Sequence, residues 1–255
     1  ALLAGYRDLF YTLSVHRIKV RYKQSLLGIF WAILQPLSMM LIFSLVFSLV
    51  ARMPSDGTPY PLFAYSALLP WFYFSTGITG ATNGLVSHTH LITKVYFPRE
   101  ILPLTYVVAA LFDFLVASIV LAGLMVYYGV PLTANALYAA PVILVLTLFI
   151  IAMSLLFSAT QARFRDVGIA VPLLIQFWMF ATPVIYPLSA VPERLRELFA
   201  LNPMAGLIES FRRAMLYGAQ PDFASLGTSL AITIILLPAS YLYFKRAEAT
   251  MADII

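Results

Sequence analysis

Six long apolar blocks dominate the sequence and restrict the folds that are open to it. A helix that crosses the hydrocarbon core of a bilayer needs about 20 predominantly apolar residues. Each block reaches about that length, and the polar connections between them are short except for residues 188–222. The pattern predicts an all-α polytopic membrane protein with six transmembrane helices. The expected spans are Trp31–Val50, Pro61–Thr82, Ile101–Tyr128, Tyr138–Thr160, Ile169–Pro187 and Phe223–Phe244.

The composition argues against a separate soluble domain. Apolar residues make up 62% of the 255 residues and charged residues only 11%, whereas soluble chains are roughly half apolar and a quarter charged. A soluble domain would need at least about 50 residues in one polar block, and the sequence has no such block. We therefore expect residues 1–255 to form a single membrane domain. The net charge of +5 fits basic loops beside anionic lipid headgroups and predicts no nucleic-acid partner.

Basic residues divide unequally between the two ends of such a bundle. With both termini inside, the inner segments hold eleven of the 16 Lys and Arg residues. Because basic loops remain in the cytoplasm, we expect both termini to be cytoplasmic. The inner group is Arg7, Arg17, Lys19, Arg21, Lys23, Lys94, Arg99, Arg163, Arg165, Lys245 and Arg246, and the outer group is Arg52, Arg194, Arg196, Arg212 and Arg213.

Residues 1–30 have the pattern of an amphipathic helix that lies at the membrane surface. An apolar and aromatic stripe recurs at helical spacing and is flanked by cations. The alternative is an unstructured basic tail that anchors the first span. The stripe is Tyr11, Val15, Ile18 and Tyr22, and the flanking cations of the interface helix are Arg17, Lys19, Arg21 and Lys23.

The long connection at 188–222 contains two helix starts, at Pro192-Glu193 and at Asn202-Pro203. Each helix is too short to cross the bilayer, so the segment predicts a re-entrant helical hairpin between spans 5 and 6. An ordinary external loop that rests on the membrane is the alternative. The second helix presents an apolar face of Met204, Leu207, Ile208, Phe211 and Met215.

Catalytic and metal-binding patterns are nearly absent from the sequence. There is no cysteine, no serine-nucleophile elbow and no phosphate-binding loop for ATP. The histidines are His16, His88 and His90, and they lack the spacing of a metal site. Asp113 is the one ionisable residue within a span, and we expect it to pack or to form hydrogen bonds. No catalytic residue, metal or cofactor is therefore predicted in this chain.

Aromatic residues are abundant, and several lie within the spans rather than at their ends. Aromatic faces suit contact with sugar rings, although helix packing and lipid contact are the simpler explanation for most of them. The candidate channel residues are Phe43, Phe47, Phe74, Phe177, Trp178 and Phe180.

Several short motifs resemble the permeases of ABC transporters that export polysaccharides. Together they cover most of the chain in the order found in that family. They are Lys19–Gly28 with Trp31–Pro36, Leu69–Ser75, Leu91–Pro103, Thr182–Pro187 and Leu201–Met204.

The resemblance implies a homodimer that is paired with two copies of a separate nucleotide-binding ATPase subunit, which holds ATP and Mg²⁺. The family moves lipid-linked O-antigen, capsule or teichoic acid across the bacterial inner membrane. By this resemblance, residues 83–100 correspond to the cytoplasmic coupling loop, with a helix at about Asn83–Thr93, and residues 188–222 correspond to the periplasmic gate. The implied coupling residues are Ser87, His88, His90, Lys94 and Arg99, and the gate residues are Met204, Leu207, Ile208 and Phe211.

Three other functions are compatible with part of the pattern. An ABC permease for a small lipid or drug has a similar layout, but it does not explain the motifs at Lys19–Pro36 and Thr182–Met204. A membrane-embedded transferase acting on lipid-linked sugars needs clustered carboxylates or histidines, and the eleven acidic residues are scattered. A secondary transporter needs paired intramembrane charges and an inverted repeat, which the sequence does not show.

Overall fold

The computed structural model describes residues 5–23 and 25–254, and within these ranges the chain is helical with no strand. Gln24, which belongs to the first motif, lies outside the described residues. The α-helices are α1 Arg7–Tyr22, α2 Phe30–Phe43, α3 Tyr60–Gly84, α4 Thr89–Lys94, α5 Ile101–Tyr127, α6 Ala139–Arg163, α7 Val167–Phe180, α8 Glu193–Ala200, α9 Pro203–Met215 and α10 Phe223–Ile254. A π-helical turn, Ser44–Val50, extends α2, and short 3₁₀ turns occupy Val86–His88, Ala134–Tyr138 and Leu188–Ala190.

Among the described residues, four helical segments are long and apolar enough to cross a membrane: Phe30–Ser48, Ile101–Tyr127, Ala134–Arg163 and Phe223–Ala249. They correspond to the first, third, fourth and sixth expected spans. The fifth expected span was Ile169–Pro187, but its helix α7 ends at Phe180 after 14 residues. A helix of that length covers about 21 Å, less than the thickness of the hydrocarbon core. The multi-pass helical architecture is therefore confirmed, whereas the count of six stays a prediction.

Helix α3, the second expected span, lies at the centre of the bundle. Eighteen of its 25 residues are buried, on all sides of the helix. It contacts α2, α5, α6, α7 and α9. A helix that is surrounded by protein does not need a uniformly lipophilic surface, and α3 accordingly contains Ser, Thr, Gly and Tyr residues.

Two ends of the bundle can be distinguished. At one end α1, the start of α5 and the end of α10 meet in an apolar cluster that includes Phe97, Phe244 and Met251. This end also carries Arg17, Arg99 and Lys245, and we call it the basic end. The hairpin α8–α9 belongs to the opposite end. The two described ends of the chain therefore meet at one end of the bundle, as the charge pattern predicts.

Helix α9 packs on α10 with almost no space between their backbones. A Cβ atom on Gly206 would lie 2.6 Å from the backbone oxygen of Ser225. The Ser229 hydroxyl donates to the carbonyl of Pro203 at 2.9 Å. Both helix starts predicted in the hairpin are confirmed, because α8 begins at Glu193 and α9 at Pro203.

Candidate functional site

A cavity of about 750 Å³ lies between α1, α2, α3, α5 and α7. Its wall combines aromatic rings with amides and hydroxyls. The aromatic members are Phe43, Trp71, Phe72, Tyr106 and Phe180, and the uncharged polar members are Gln35, Ser75, Thr76, Thr79 and Gln176. Amides and hydroxyls pair with hydroxyl groups, and rings contact apolar C–H faces. These groups can contact a sugar ring, although most of the wall is apolar and also includes Val20, Met39, Ile175 and Met179.

Within the part of the chain that the structure describes, the charged residues that line this cavity are Arg17 and Arg21 of α1. They lie four residues apart, so they share one face of the helix. The sequence suggested that both would flank a membrane-facing stripe. In the structure both contact the bundle instead: Arg17 is half-buried, and Arg21 reaches Asp113 although its side chain is 37% exposed. Lys19 and Lys23 are exposed. Tyr11, a member of the expected stripe, is 70% exposed.

Arg17 joins α1 to the segment after α3. Its guanidinium carbon lies 3.7 Å from the centre of the Tyr106 ring, and its Nη2 lies 3.1 Å from Nε2 of His88. Tyr106 can approach this closely because Gly80 and Gly84 leave room for its ring. A Cβ atom on either glycine would lie 2.7 Å from a Tyr106 ring carbon. This small-residue spacing brings α3 and α5 together.

Arg21 and Tyr22 both bind Asp113 of α5. Nη1 of Arg21 lies 2.7 Å from Oδ2 of Asp113, and the Tyr22 hydroxyl donates to Oδ1. The hydrogen-bonding role predicted for Asp113 is thereby confirmed. The sequence did not reveal the partners, because they are separated from Asp113 by about ninety residues and belong to a helix assigned to the membrane surface.

The five residues implied in ATPase coupling have different environments. Ser87 donates to the carbonyl of Asn83 at 2.8 Å, and His88 is half-buried against α1. His90 and Lys94 are exposed. Arg99 donates from Nη1 to the carbonyl of Glu248 at 2.9 Å. The expected helix at Asn83–Thr93 is divided between the end of α3, the 3₁₀ turn and α4.

A second group of charges anchors the end of the same loop to α10. The Lys245 ammonium lies 2.8 Å from both Glu100 and Glu248. The backbone N–H of Arg99 donates to Glu248 Oε1 at 2.9 Å. The loop is thus tied at its start through His88 and at its end through Arg99. Between these points Lys94, Val95 and Tyr96 are exposed, and Tyr96 is 93% accessible.

The predicted channel aromatics do not form one surface within the chain. Phe43 and Phe180 line the cavity. Phe74 is fully buried and stacks on Phe149, with ring centres 5.9 Å apart. Phe47 contacts Phe43 edge to face, and Phe177 is 71% exposed on the outside of α7. The indole of Trp178 donates to Oδ1 of Asn202 at 3.0 Å, so it helps to hold the hairpin.

Helix α9 turns its apolar face into the core of the helical bundle. Met204, Leu207 and Ile208 are fully buried, and Phe211 is nearly so. Asn202 caps the helix, because its Oδ1 accepts from the N–H of Met204 at 3.1 Å. In contrast, α8 leaves Leu195, Leu198 and the following Leu201 exposed.

Arg212 is a buried cation that the sequence did not single out. Its side chain is fully buried, and its guanidinium carbon lies 3.8 Å from the centre of the Phe63 ring. Nη1 lies 3.1 Å from Glu209, and Nη2 donates to the carbonyl of Pro183 at 3.1 Å. In the sequence Arg212 is one of the five outer basic residues, and nothing in its position distinguishes it from the neighbouring Arg213.

The described residues contain no group of three or more His, Cys, Asp or Glu side chains that could hold a metal ion. His88 and His90 are close in sequence, but His88 is engaged by Arg17 and by the carbonyl of Gly84.

Comparison with known proteins shows similarity over nearly the whole chain. A family model described as ABC-2 type transporter matches residues 8–216. The chain is 34% identical over 253 residues to the O-antigen export system permease protein RfbA of Myxococcus xanthus, covering 98% of this chain and 96% of that protein. It is 30% identical over 249 residues to a protein of the same name from Klebsiella pneumoniae, covering 97% and 95%. It is 22% identical over 245 residues to the polysialic acid transport protein KpsM of Escherichia coli, covering 94% and 93%.

Proposed function

Because the chain belongs to the ABC-2 type transporter family, we propose that it is the membrane subunit of an ATP-driven exporter of lipid-linked polysaccharide. The cargo is of the O-antigen, capsule or teichoic-acid type. The observation that carries this proposal is the similarity, over at least 93% of both chains, to proteins named for O-antigen export and polysialic acid transport. The cavity wall offers rings, amides and hydroxyls that can contact a carbohydrate, beside apolar side chains such as Met39 and Ile175.

The transport path forms at the axis of a homodimer in the bacterial inner membrane, with both termini in the cytoplasm. Helix α3, and α7 together with the residues that follow it, complete the six spans. A polysaccharide cannot cross hydrocarbon unaided, because each unpaired hydroxyl costs about 2–7 kcal/mol. The helices α2 and α7 contribute to the cavity and also expose apolar side chains on the outside of the subunit, among them Leu41 and Phe177. This outer surface supports a path that two copies line together.

Energy comes from two copies of a separate ATPase subunit, because the sequence has no phosphate-binding loop. The exposed tip at Lys94, Val95 and Tyr96 is the surface on which that subunit docks. A tyrosine that is 93% exposed beside an exposed valine provides an anchor of the kind found at interface hot spots. Arg99 acts as a support rather than a contact, because its guanidinium binds α10.

The experiment that tests this docking surface is the substitution Tyr96→Ala. We expect the affinity for the ATPase subunit to fall by about 2 kcal/mol, roughly thirtyfold, and export to fall with it. Affinity is measured by titrating the purified ATPase onto the permease in nanodiscs, and export by surface polysaccharide in cells. Tyr11→Ala is the matched control, because Tyr11 is also exposed at the basic end but lies outside the loop. Equal affinities for Tyr96→Ala and the unchanged protein would contradict the assignment.

The hairpin is proposed to close the outer mouth of this path as a re-entrant gate. Since Met204, Leu207, Ile208 and Phe211 pack into the subunit's core, α9 acts as the fixed base of the gate. The exposed leucines of the α8 segment then form its seal. We expect Leu198→Ser with Leu201→Ser to raise ion leakage through resting, reconstituted dimers, because the apolar contact is lost.

Leakage is measured as the loss of a potassium gradient from liposomes. Leu132→Ser with Leu137→Ser is the control, since both leucines are 70% or more exposed in the connection between α5 and α6. If the α8 variant leaks no more than this control, the hairpin does not seal the path.

A further inference from the structure

A second cavity, of about 590 Å³, lies between the ends of α6 and α10 at the basic end of the bundle. We call it the α6–α10 cavity. The two helices pack along one another, but small side chains leave a gap between them here. Ala159 and Ala162 line it from α6, and Ala247 lines it from α10. One turn further into the bundle the hydroxyls of Thr160 and Tyr243 lie 3.5 Å apart, so the helices meet again.

Each of the two helices contributes one arginine to this cavity, Arg163 from α6 and Arg246 from α10. Both side chains are exposed, and neither forms an ion pair with an acidic side chain among the described residues. Lys245, the neighbour of Arg246, is paired instead with Glu100 and Glu248. No acidic residue is present in the described part of the cavity wall. The α6–α10 cavity therefore presents two positive charges to an anion.

Arg246 also ends an apolar stripe on the outside of α10. The stripe belongs to Phe223–Ala249, a segment long and apolar enough to cross a membrane. Its members recur at i, i+4, i+7 and i+11, so they share one face of the helix, and all of them are exposed. An acyl chain that lies along this face brings its headgroup to the α6–α10 cavity. The members are Ile235, Ala239, Leu242 and Arg246.

We propose that the α6–α10 cavity binds the phosphate of an anionic membrane phospholipid, which joins the ends of α6 and α10. A guanidinium has a planar set of donors that matches phosphate oxygens. Basic pockets between transmembrane helices are suited to anionic headgroups. A choline headgroup is a poorer ligand, because its own positive charge repels the two arginines. The proposal does not rest on the export function, since no residue of this cavity lines the one between α1, α2, α3, α5 and α7.

The test of the charges is the double variant Arg163→Gln with Arg246→Gln. Phosphatidylglycerol and phosphatidylcholine with identical acyl chains are titrated onto the purified permease in detergent, and binding is measured by native mass spectrometry. We expect the unchanged protein to bind phosphatidylglycerol about tenfold more tightly, and the double variant to lose this preference. Lys19→Gln with Lys23→Gln is the matched control. It removes two exposed cations from the same end of the bundle and is expected to keep the preference.

The test of the cavity itself is Ala162→Leu, which fills the space and retains both arginines. We expect this variant to lose the preference for phosphatidylglycerol, because the headgroup can no longer enter. Ala162→Ser changes the same residue without filling the cavity, and it is expected to keep the preference. The midpoint of thermal unfolding provides a second measurement. Phosphatidylglycerol is expected to raise it by about 3 °C in the unchanged protein and to leave it unaltered in the double arginine variant.

Four results would overturn the proposal. The first is equal binding of the two lipids by the unchanged protein. The second is a preference that survives in the double arginine variant, or that is lost to the same degree in the lysine control, since attraction by net charge would then explain it. The third is displacement of phosphatidylglycerol by glycerol 1-phosphate at an equal concentration, which would indicate a site for free phosphate esters. The fourth is a double arginine variant that retains the lipid preference but binds the ATPase more weakly, which would assign the two arginines to a protein partner.

Discussion

Replacing Arg212 with methionine is expected to lower the free energy of unfolding by about 3–5 kcal/mol, the usual effect of breaking a buried ion pair. The guanidinium is fully buried, and it is paired with Glu209 and bonded to the carbonyl of Pro183. Methionine has a similar length but cannot donate. The variant would leave Glu209 without its counter-charge and the carbonyl without this donor.

The Arg212 variant is expected to loosen the hairpin before the whole protein unfolds. Arg212 connects α9 to the residues that follow α7 and to Phe63 of α3. Its loss is therefore expected to release the hairpin from the centre of the bundle. The measurement is the midpoint of thermal unfolding in detergent, followed by fluorescence-detected size exclusion after heating.

Arg213→Met is the matched control for this prediction. Arg213 is the neighbour in sequence and has the same charge, but it is only half-buried and donates from Nε to the carbonyl of Gln220 at 3.1 Å. Loss of one such bond costs about 0.5–1.5 kcal/mol. Similar midpoints for the two variants would mean that burial of Arg212 does not contribute to holding the hairpin.

Replacing Arg21 with glutamine is expected to lower the free energy of unfolding by about 2.5–3.5 kcal/mol, because it leaves an unpaired charge inside a span. The Asp113 side chain is 15% exposed within α5, so its carboxylate depends on Arg21 and Tyr22 for compensation. Asp113→Asn is expected to lower the free energy of unfolding much less than Arg21→Gln does. The Arg21 side chain that loses its partner is 37% exposed and can reach water.

A double-mutant cycle separates this pairing from general damage to α1. We expect Arg21→Gln combined with Asp113→Asn to be about as stable as Asp113→Asn alone, since the neutral amide no longer needs a counter-charge. Lys23→Gln is the control, because Lys23 is an exposed cation at the end of the same helix. This variant is expected to leave the free energy of unfolding unchanged. Additive effects in the double variant would show that the two side chains do not act as a pair.

The sequence alone determined the class of protein and the position of most helices. Apolar blocks predicted the helices that begin at Phe30, Ile101 and Phe223 within one or two residues. The Asn202-Pro203 pair predicted the start of α9, because a cap and a proline act on the backbone within one turn. These signals are local, because each depends on residues that are adjacent in the sequence.

The tertiary structure decided which polar side chains meet. Arg17 and Arg21 resemble Lys19 and Lys23 in sequence, yet only the arginines contact the bundle. Arg17 lies over the Tyr106 ring, and Arg21 forms an ion pair with Asp113. Arg212 and Arg213 are adjacent, yet only one is fully buried. The early end of α7 and the central position of α3 also depend on neighbouring helices. A hydropathy pattern cannot specify such pairs, because their free energy depends on distances between residues far apart in the chain and on the water that packing excludes.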